Sequence, residues 1–428
     1  MDLSAGVSVD TNEGLDEPSL GTTTRTDLGA TFGFLDETEI SRLAVSVFSR
    51  LQYSQEPDED GELDFRLPSG SLSYTRDGRD SRLNLTARYF FDRVDDDVLI
   101  FLDENLNPVD LIVDGGDLRR FTLGADLATG LSAPIGFDIG VFYDNRDYID
   151  TTDPDLFDRV EYGGNAALRF NLTEVMTGRL TASYSRLDED DIGDPVTEDT
   201  AFGAGLSYQF DEITSFSGNF AYTTIEETIF DVTTTENEGW AYDFGVQREL
   251  PDGSIGVSLA HIINSASTRT EISFNRTRDL PDGALAYSLG YSIADEDDDS
   301  ENRFVGGLDY RRDLPTGSLS ASITQEAVAN DDSEDTLVSR IALAYNQEIN
   351  SVSSFGVNFG LGRSEDIGGG GDDPTTRANL GITYRRELTR DWDWVLGYEA
   401  RYLLEDGGDP ATGNRVFTLI DRSFTFRP

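Results

Sequence analysis

The chain has 428 residues, with 82 acidic side chains against 33 basic ones, a formal net charge of -49, and no cysteine. That acidity repels a polyphosphate backbone and excludes nucleic acid as a partner, and without thiols neither disulfides nor thiolate metal sites can form. No stretch reaches the roughly 20 uninterrupted apolar residues of a membrane-spanning helix.

In chain order the predicted elements are strands. Met1-Asp2-Leu3-Ser4 enters an alternating run at once, with no basic segment leading into an apolar one as in an export leader. Export would then require a leader cleaved from these residues. Leu67-Pro68-Ser69-Gly70 interrupts an early run and is read as a bulge within one strand, where proline is tolerated. Between Asp95 and Asp117 a long connection carries two apolar, β-prone segments, Val98 to Leu102 and Val109 to Val113, around Asn105-Leu106-Asn107-Pro108. So much apolar surface calls for something to cover. Residues 95–116 are therefore expected to form a lid or constriction at a mouth, with Leu99, Phe101 and Leu111 as its contact residues. The alternative is that the two arms extend the flanking strands.

Beyond this segment the alternation is regular. After Arg278-Asp279-Leu280-Pro281-Asp282-Gly283, one face reads Leu285, Tyr287, Leu289, Tyr291, Ile293 and the other Ala286, Ser288, Gly290, Ser292, Ala294. Strand side chains alternate in direction, so this segment has one greasy wall and one thin, mildly polar wall. The same turn recurs as Arg312-Asp313-Leu314-Pro315-Thr316-Gly317. Phe202, Leu206, Tyr208, Trp392, Trp394 and Leu396 continue the greasy face, whereas Gly203, Gly205, Ser207, Gly397, Glu399 and Arg401 continue the thin one.

Ten short turns alternate with eleven longer polar connections, which separates 22 strands, or 20 to 24 if ambiguous segments before residue 116 are divided differently. An even count brings both ends of the chain to one side and lets the last strand pair with the first. The expected fold is all-β: a single transmembrane antiparallel barrel over residues 1–428, with no plug domain ahead of its first strand. An apolar content of 37% suits it, because a barrel needs apolar residues only at every second position. The acid clusters Glu56 to Asp60, Asp188 to Asp191 and Asp331 to Glu334 all fall on the long-loop side. Arg248, Arg278, Arg312 and Arg386 keep outward parity and stand just before short turns. There they can snorkel to lipid phosphates, joined by Trp392 and Trp394 as interface anchors. The other reading of these arginines is a solvated strand end in a soluble sheet.

The last strand ends Phe424-Thr425-Phe426-Arg427-Pro428. It resembles the aromatic-x-aromatic ending by which bacterial outer-membrane β-barrels are recognised for assembly, although Arg427 and Pro428 extend past the expected terminal aromatic. Arg386-Glu387-Leu388-Thr389-Arg390-Asp391-Trp392 and Asn414-Arg415-Val416-Phe417 are also similar to barrels encoded near exopolysaccharide and exosortase systems. The resemblance implies a place in the bacterial outer membrane, among its lipids and lipopolysaccharide.

Candidate chemistry is sparse. The single histidine, His261, shares the parity of Val257 and Leu259 and faces lipid, where a serine-histidine-acid site would need an inward or rim serine beside it. Asp309 and Glu399 are inward carboxylates, but among 82 acids chance pairs are certain, and no enzyme is expected. Asp295, Asp297, Asp299 and Glu301 supply oxygen ligands of the kind calcium or magnesium takes, without the central glycine of an EF-hand loop; the other reading is a solvated acidic loop. No other cofactor is expected. The expected function is diffusion of hydrophilic solutes through a polar, porin-like channel lined by Asp309, Glu399 and Arg401, with acidic rims favouring cations. That channel could serve as a polysaccharide export conduit, or be filled by a periplasmic or plug partner. The alternative is a structural or adhesive surface barrel whose acidic loops bind cations.

Overall fold

The computed structural model describes residues 1–15, 18–57, 60–93, 117–149, 151, 157–191, 193–230, 232–264, 268–296, 299–329, 335–366, 374–405 and 408–424. The first eleven strands are β1 (Asp2–Asp10), β2 (Thr23–Glu37), β3 (Ser41–Gln55), β4 (Glu62–Asp77), β5 (Ser81–Arg93), β6 (Asp117–Thr129), β7 (Ile135–Ile149), β8 (Arg159–Thr173), β9 (Met176–Glu189), β10 (Val196–Gln209) and β11 (Thr214–Ile229). The next eleven are β12 (Val232–Leu250), β13 (Gly253–Ile263), β14 (Thr268–Leu280), β15 (Gly283–Glu296), β16 (Asp299–Leu314), β17 (Gly317–Ala329), β18 (Asp335–Asn350), β19 (Ser353–Asp366), β20 (Thr375–Thr389), β21 (Trp392–Glu405) and β22 (Ala411–Ser423). Consecutive strands pair antiparallel, and β1 pairs with β22 from Asp2↔Ser423 to Asp10↔Arg415, closing the barrel. The ten short turns lie where the sequence places them. The β3–β4 ladder shifts register between Phe48 and Arg50, opposite Ser69 and Arg66, so the Leu67-Pro68 segment is a bulge and not a turn.

Register and alternation together assign each residue a face. Glu238, Trp240, Tyr242, Phe244, Val246 and Arg248 follow one another along the outward side of β12. The span from Glu238 to Arg248 is about ten residues, or about 33 Å of strand. At a tilt of about 40° it covers about 25 Å of height, the thickness of the apolar band on outer-membrane barrels. Large apolar side chains on this face, such as Leu289 and Phe304, stand exposed, as lipid contact requires.

The short-turn rim is tied together by the backbone. Each turn carbonyl accepts from an amide of the following hairpin: Ile40 from Asp77 at 2.8 Å, Asp252 from Asp279 at 2.8 Å, Asp282 from Asp313 at 2.7 Å and Val352 from Glu387 at 2.8 Å. Met1 completes the circuit by accepting from the Phe424 amide at 2.8 Å. This close approach explains the turn glycines. A Cβ on Gly253 would overlap the Thr277 carbonyl, and one on Gly317 would overlap the Asn346 carbonyl. Gly253 also has φ 125°, a region open essentially to glycine alone.

Turn carboxylates add to the rim. The Arg276 guanidinium, at 2.8 Å, holds Asp252 below the usual carboxylate range, with Arg278 at 3.2 Å assisting. The Ile213 amide does the same for Asp211, and the Ser132 amide and hydroxyl for Asp80. A depressed folded-state pKa contributes stability above the unfolded carboxylate value, about 4, and that contribution is lost as pH falls through the folded value.

Two outcomes follow for the rim. Gly253→Ala is expected to cost on the order of 1–3 kcal/mol, lowering the fraction of chain that runs as folded barrel on unheated denaturing gels; an unchanged fraction would refute the close-approach argument. Replacing Asp80, Asp211 and Asp252 together by Asn is expected to lower thermal stability at pH 7 and to shrink the further loss below about pH 4, followed by tryptophan fluorescence. An acid limb identical to that of the parent would show these carboxylates to be inert.

Candidate functional site

The inward faces form a lumen with two unlike walls. From β10 to β19 the wall is thin at mid-height, carrying residues such as Gly205, Ser217, Gly245, Ser288, Ser320 and Gly356. From β20 through β1 to β9 it carries arginines bonded to acids on neighbouring strands. Arg120 donates to Asp144 at 2.7 Å, Arg169 to Asp138 at 3.3 Å, and Arg50 lies 3.7 Å from Asp27. Partly exposed pairs of this kind contribute about 0–1 kcal/mol each; their larger effect is to cancel charge, so this arc is a polar surface and not an anion funnel. Phenylalanines also project into the lumen here, with Phe48 38%, Phe90 44% and Phe142 40% exposed.

At the extracellular mouth the connection after β1 folds onto the lumen wall. Arg401, inward on β21 and 7% exposed, bonds the Asp10 carboxylate and donates to the carbonyls of Glu13 at 3.2 Å and Asn12 at 3.3 Å. Arg25 holds the Glu13 carboxylate at 2.7 Å, and the Asn12 side-chain amide donates to the Thr412 carbonyl at 3.2 Å. One inward position nearer the loop end, Leu15, Leu403 and Ala411 form a small apolar core. Burying Leu15 alone contributes about 1.5–3 kcal/mol, which offsets its strained φ of 53°. Gly413 leaves room for this packing: a Cβ there would stand 2.6 Å from the Asn12 carbonyl and 3.1 Å from Leu15.

Of the residues expected to line the lumen, Arg401 sits at the centre of this network. Glu399 is one position below on the same face, opposite Gly381 and Arg415. Asp309 lies opposite Ala286 and Ser322 on β16, five strands away from Glu399 and so about 24 Å around the wall at the usual strand spacing. These carboxylates are too far apart to act as a pair. Leu99, Phe101, Leu111 and the rest of residues 94–116 lie outside the described residues, as do Asp297 and the side chains of Asp295, Asp299 and Glu301. Among the described residues no group of three histidines or acids could hold a metal ion.

The residues expected to anchor the interface lie on the outward face. Arg248, Arg278, Arg312 and Arg386 pair with Ile255, Leu285, Leu319 and Trp394. Arg422 lies over the Trp392 ring at 5.1 Å, and the Trp394 indole donates to the Thr418 hydroxyl at 2.8 Å. His261 stacks on Tyr242 with ring centroids 5.1 Å apart and bonds the Thr270 hydroxyl at 2.8 Å, on the lipid side.

The sequence reading missed the mouth network and the lumen phenylalanines. Leu403 was the available signal: an apolar residue on inward parity, two positions beyond Arg401, has no reason to face water.

No protein-family model matches the chain, and no curated protein matches it in sequence. Solved structures match it in fold. The ferric-catecholate import receptor Fiu from E. coli K12 superposes with a TM-score of 0.64 at 9% identity, over 98% of this chain and 81% of that one. The FrpB iron transporter from Neisseria meningitidis gives 0.60 at 10% identity, over 99% and 82%. The copper transporter OprC gives 0.57 at 12% identity, over 99% and 80%. About a fifth of each of those chains thus lies beyond what this chain matches, and 22-stranded outer-membrane transporters have a plugged lumen. This corrects the expectation of a barrel with no plug domain: the matched structures extend about a fifth beyond the wall they share with this chain, and they are of the size class whose lumen is plugged. The chain is an outer-membrane β-barrel with a transporter-like fold.

Proposed function

We propose that this barrel carries hydrophilic solutes across the outer membrane through a lumen whose passage is controlled by a packed occupant, with the Arg-rich arc as docking wall and the thin arc as solute path. The observation that carries this reading is the asymmetry of the wall. Exposed phenylalanines among cancelled ion pairs suit a protein surface, whereas the Gly, Ala and Ser of β10 to β19 suit a moving polar solute. The structural neighbours are named for copper, ferric-catecholate and iron transport, which favours import of a small metal-bearing solute. Polysaccharide export is the second reading, supported by the thin arc alone. A structural or adhesive barrel would leave the differentiated lumen without a role. No catalytic part is assigned: His261 faces lipid, and Asp309 and Glu399 stand apart.

Reconstituted in planar bilayers, the chain is expected to pass stepwise current. Because it lacks cysteine, Ser288→Cys on the thin wall can be coupled to a bulky charged thiol reagent, which should cut the current severalfold, while the same treatment of Leu289→Cys on the lipid face should not. Absence of current in every salt would overturn the transport reading. Arg401→Ala strands a buried carboxylate, at a cost on the order of 3–5 kcal/mol. It is expected to speed proteolysis within residues 11–22 and to enlarge the current; no change in either would remove the mouth network from the mechanism.

A further inference from the structure

The lipid-facing surface is not uniform. Across β4 to β7 it sinks into an apolar groove of about 420 Å³. Its cause is local. Ala87 and Ala125 sit diagonally on the outward faces of β5 and β6, where Leu85 stands opposite Ala125 and Leu123 opposite Ala87. The two alanines form the floor, and the larger Leu72 and Val141 on the flanking strands form the walls.

Above the groove the same outward face changes character in two steps. Phe121 and Tyr143 meet edge to face at 6.3 Å, an aromatic pair of the kind that marks the boundary between headgroups and hydrocarbon. One outward position higher stands Arg119, half exposed. Its Nε and Nη2 donate to a single oxygen, Oδ2 of Asp147, at 2.7 and 2.6 Å. Asp147 is the acid facing it from β7, and it takes the Nε–Nη2 edge, leaving the half-exposed guanidinium with Nη1 hydrogens for another acceptor. From Arg119 to Ala125 is about 20 Å along the strand and about 15 Å in height at the usual tilt, the depth of one leaflet in a hydrocarbon core about 30 Å thick.

We propose that this strip seats one lipid of the outer leaflet, its phosphate on Arg119 and one acyl chain passing Phe121 and Tyr143 into the groove floored by Ala87 and Ala125. The free guanidinium edge matches a phosphate in hydrogen-bond geometry, and an apolar hollow at chain depth favours an ordered saturated chain over the mobile lipid that covers a smooth wall. The ligand class is a phosphorylated, multiply acylated outer-leaflet glycolipid. The site lies on the opposite face of the wall from the solute path, so it stands or falls independently of the transport reading.

Native mass spectrometry of the detergent-purified barrel can test it with three probes: hexa-acylated bisphosphorylated lipid A, its dephosphorylated form and phosphatidylglycerol. The parent is expected to retain one bisphosphorylated lipid A in preference to both other probes. Ala125→Leu, which fills the floor, should weaken retention at least tenfold, and Arg119→Gln should weaken it severalfold while leaving the dephosphorylated lipid unaffected. Ala204→Leu, outward on β10, serves as the control and should bind as the parent does. Unheated gel mobility reports folding of each variant; if Ala125→Leu does not fold, Ala87→Val replaces it with the same expectation. Equal retention by Ala125→Leu and Ala204→Leu, or equal binding of all three probes, would overturn the site.

Discussion

A strand that crosses a bilayer finds no water for its backbone amides and carbonyls, so every one of them needs a partner in the sheet. The pairing of β1 with β22 supplies the last row of partners, from Asp2↔Ser423 to Asp10↔Arg415. Everything else depends on that closure. It requires an even number of strands, places both ends of the chain beside the short turns, and leaves the long connections to the other side. The hydrogen bond between Phe424 and Met1 extends the same seam into the rim, where each turn carbonyl accepts from the hairpin that follows.

Closure also separates two solvents. Outward positions meet lipid and are apolar for about 25 Å of height, bounded on β12 by Glu238 and Arg248. Inward positions meet water or protein and are free to vary, and they differ around the circumference. On the arc from β20 to β9 arginines bind acids across strands, as Arg120 binds Asp144, so a chain with a net charge of -49 presents there a wall of paired charges. On the opposite arc small side chains such as Gly205, Ser217, Gly245, Ser288 and Ser320 predominate, with few charged residues such as Asp309 among them.

The mouth network shows how a loop is fixed at this boundary. Arg401 and Arg25 reach from the wall to Asp10, Asn12 and Glu13, and Leu15 inserts on their loop side against Leu403 and Ala411. Charged groups alone would leave this connection hydrated. The small apolar core holds it against the wall, and Gly413 leaves the space that makes the contact feasible.

The sequence by itself determined the strands, turns, faces and closure, because each depends on local chemistry. Alternation with a period of two reports the face of every residue, as in Leu285 to Ala294, and the Pro-Asp-Gly turn at 281–283 reports a reversal. Only the tertiary structure decided what meets across strands. Asp309 and Glu399 look alike in sequence, but the ladder sets them five strands apart, and the partner of Arg401 proved to be Asp10, almost the full chain length away. The phenylalanines at 48, 90 and 142 are large apolar residues on inward positions of β3, β5 and β7, and it is the ladders that set them beside Thr31, Arg120 and Gly163 on the lumen wall. An occupant of a lumen is beyond the reach of alternation for a related reason: a wall's pattern records the solvent on each side, and anything packed inside is felt there only as apolar residues facing inward.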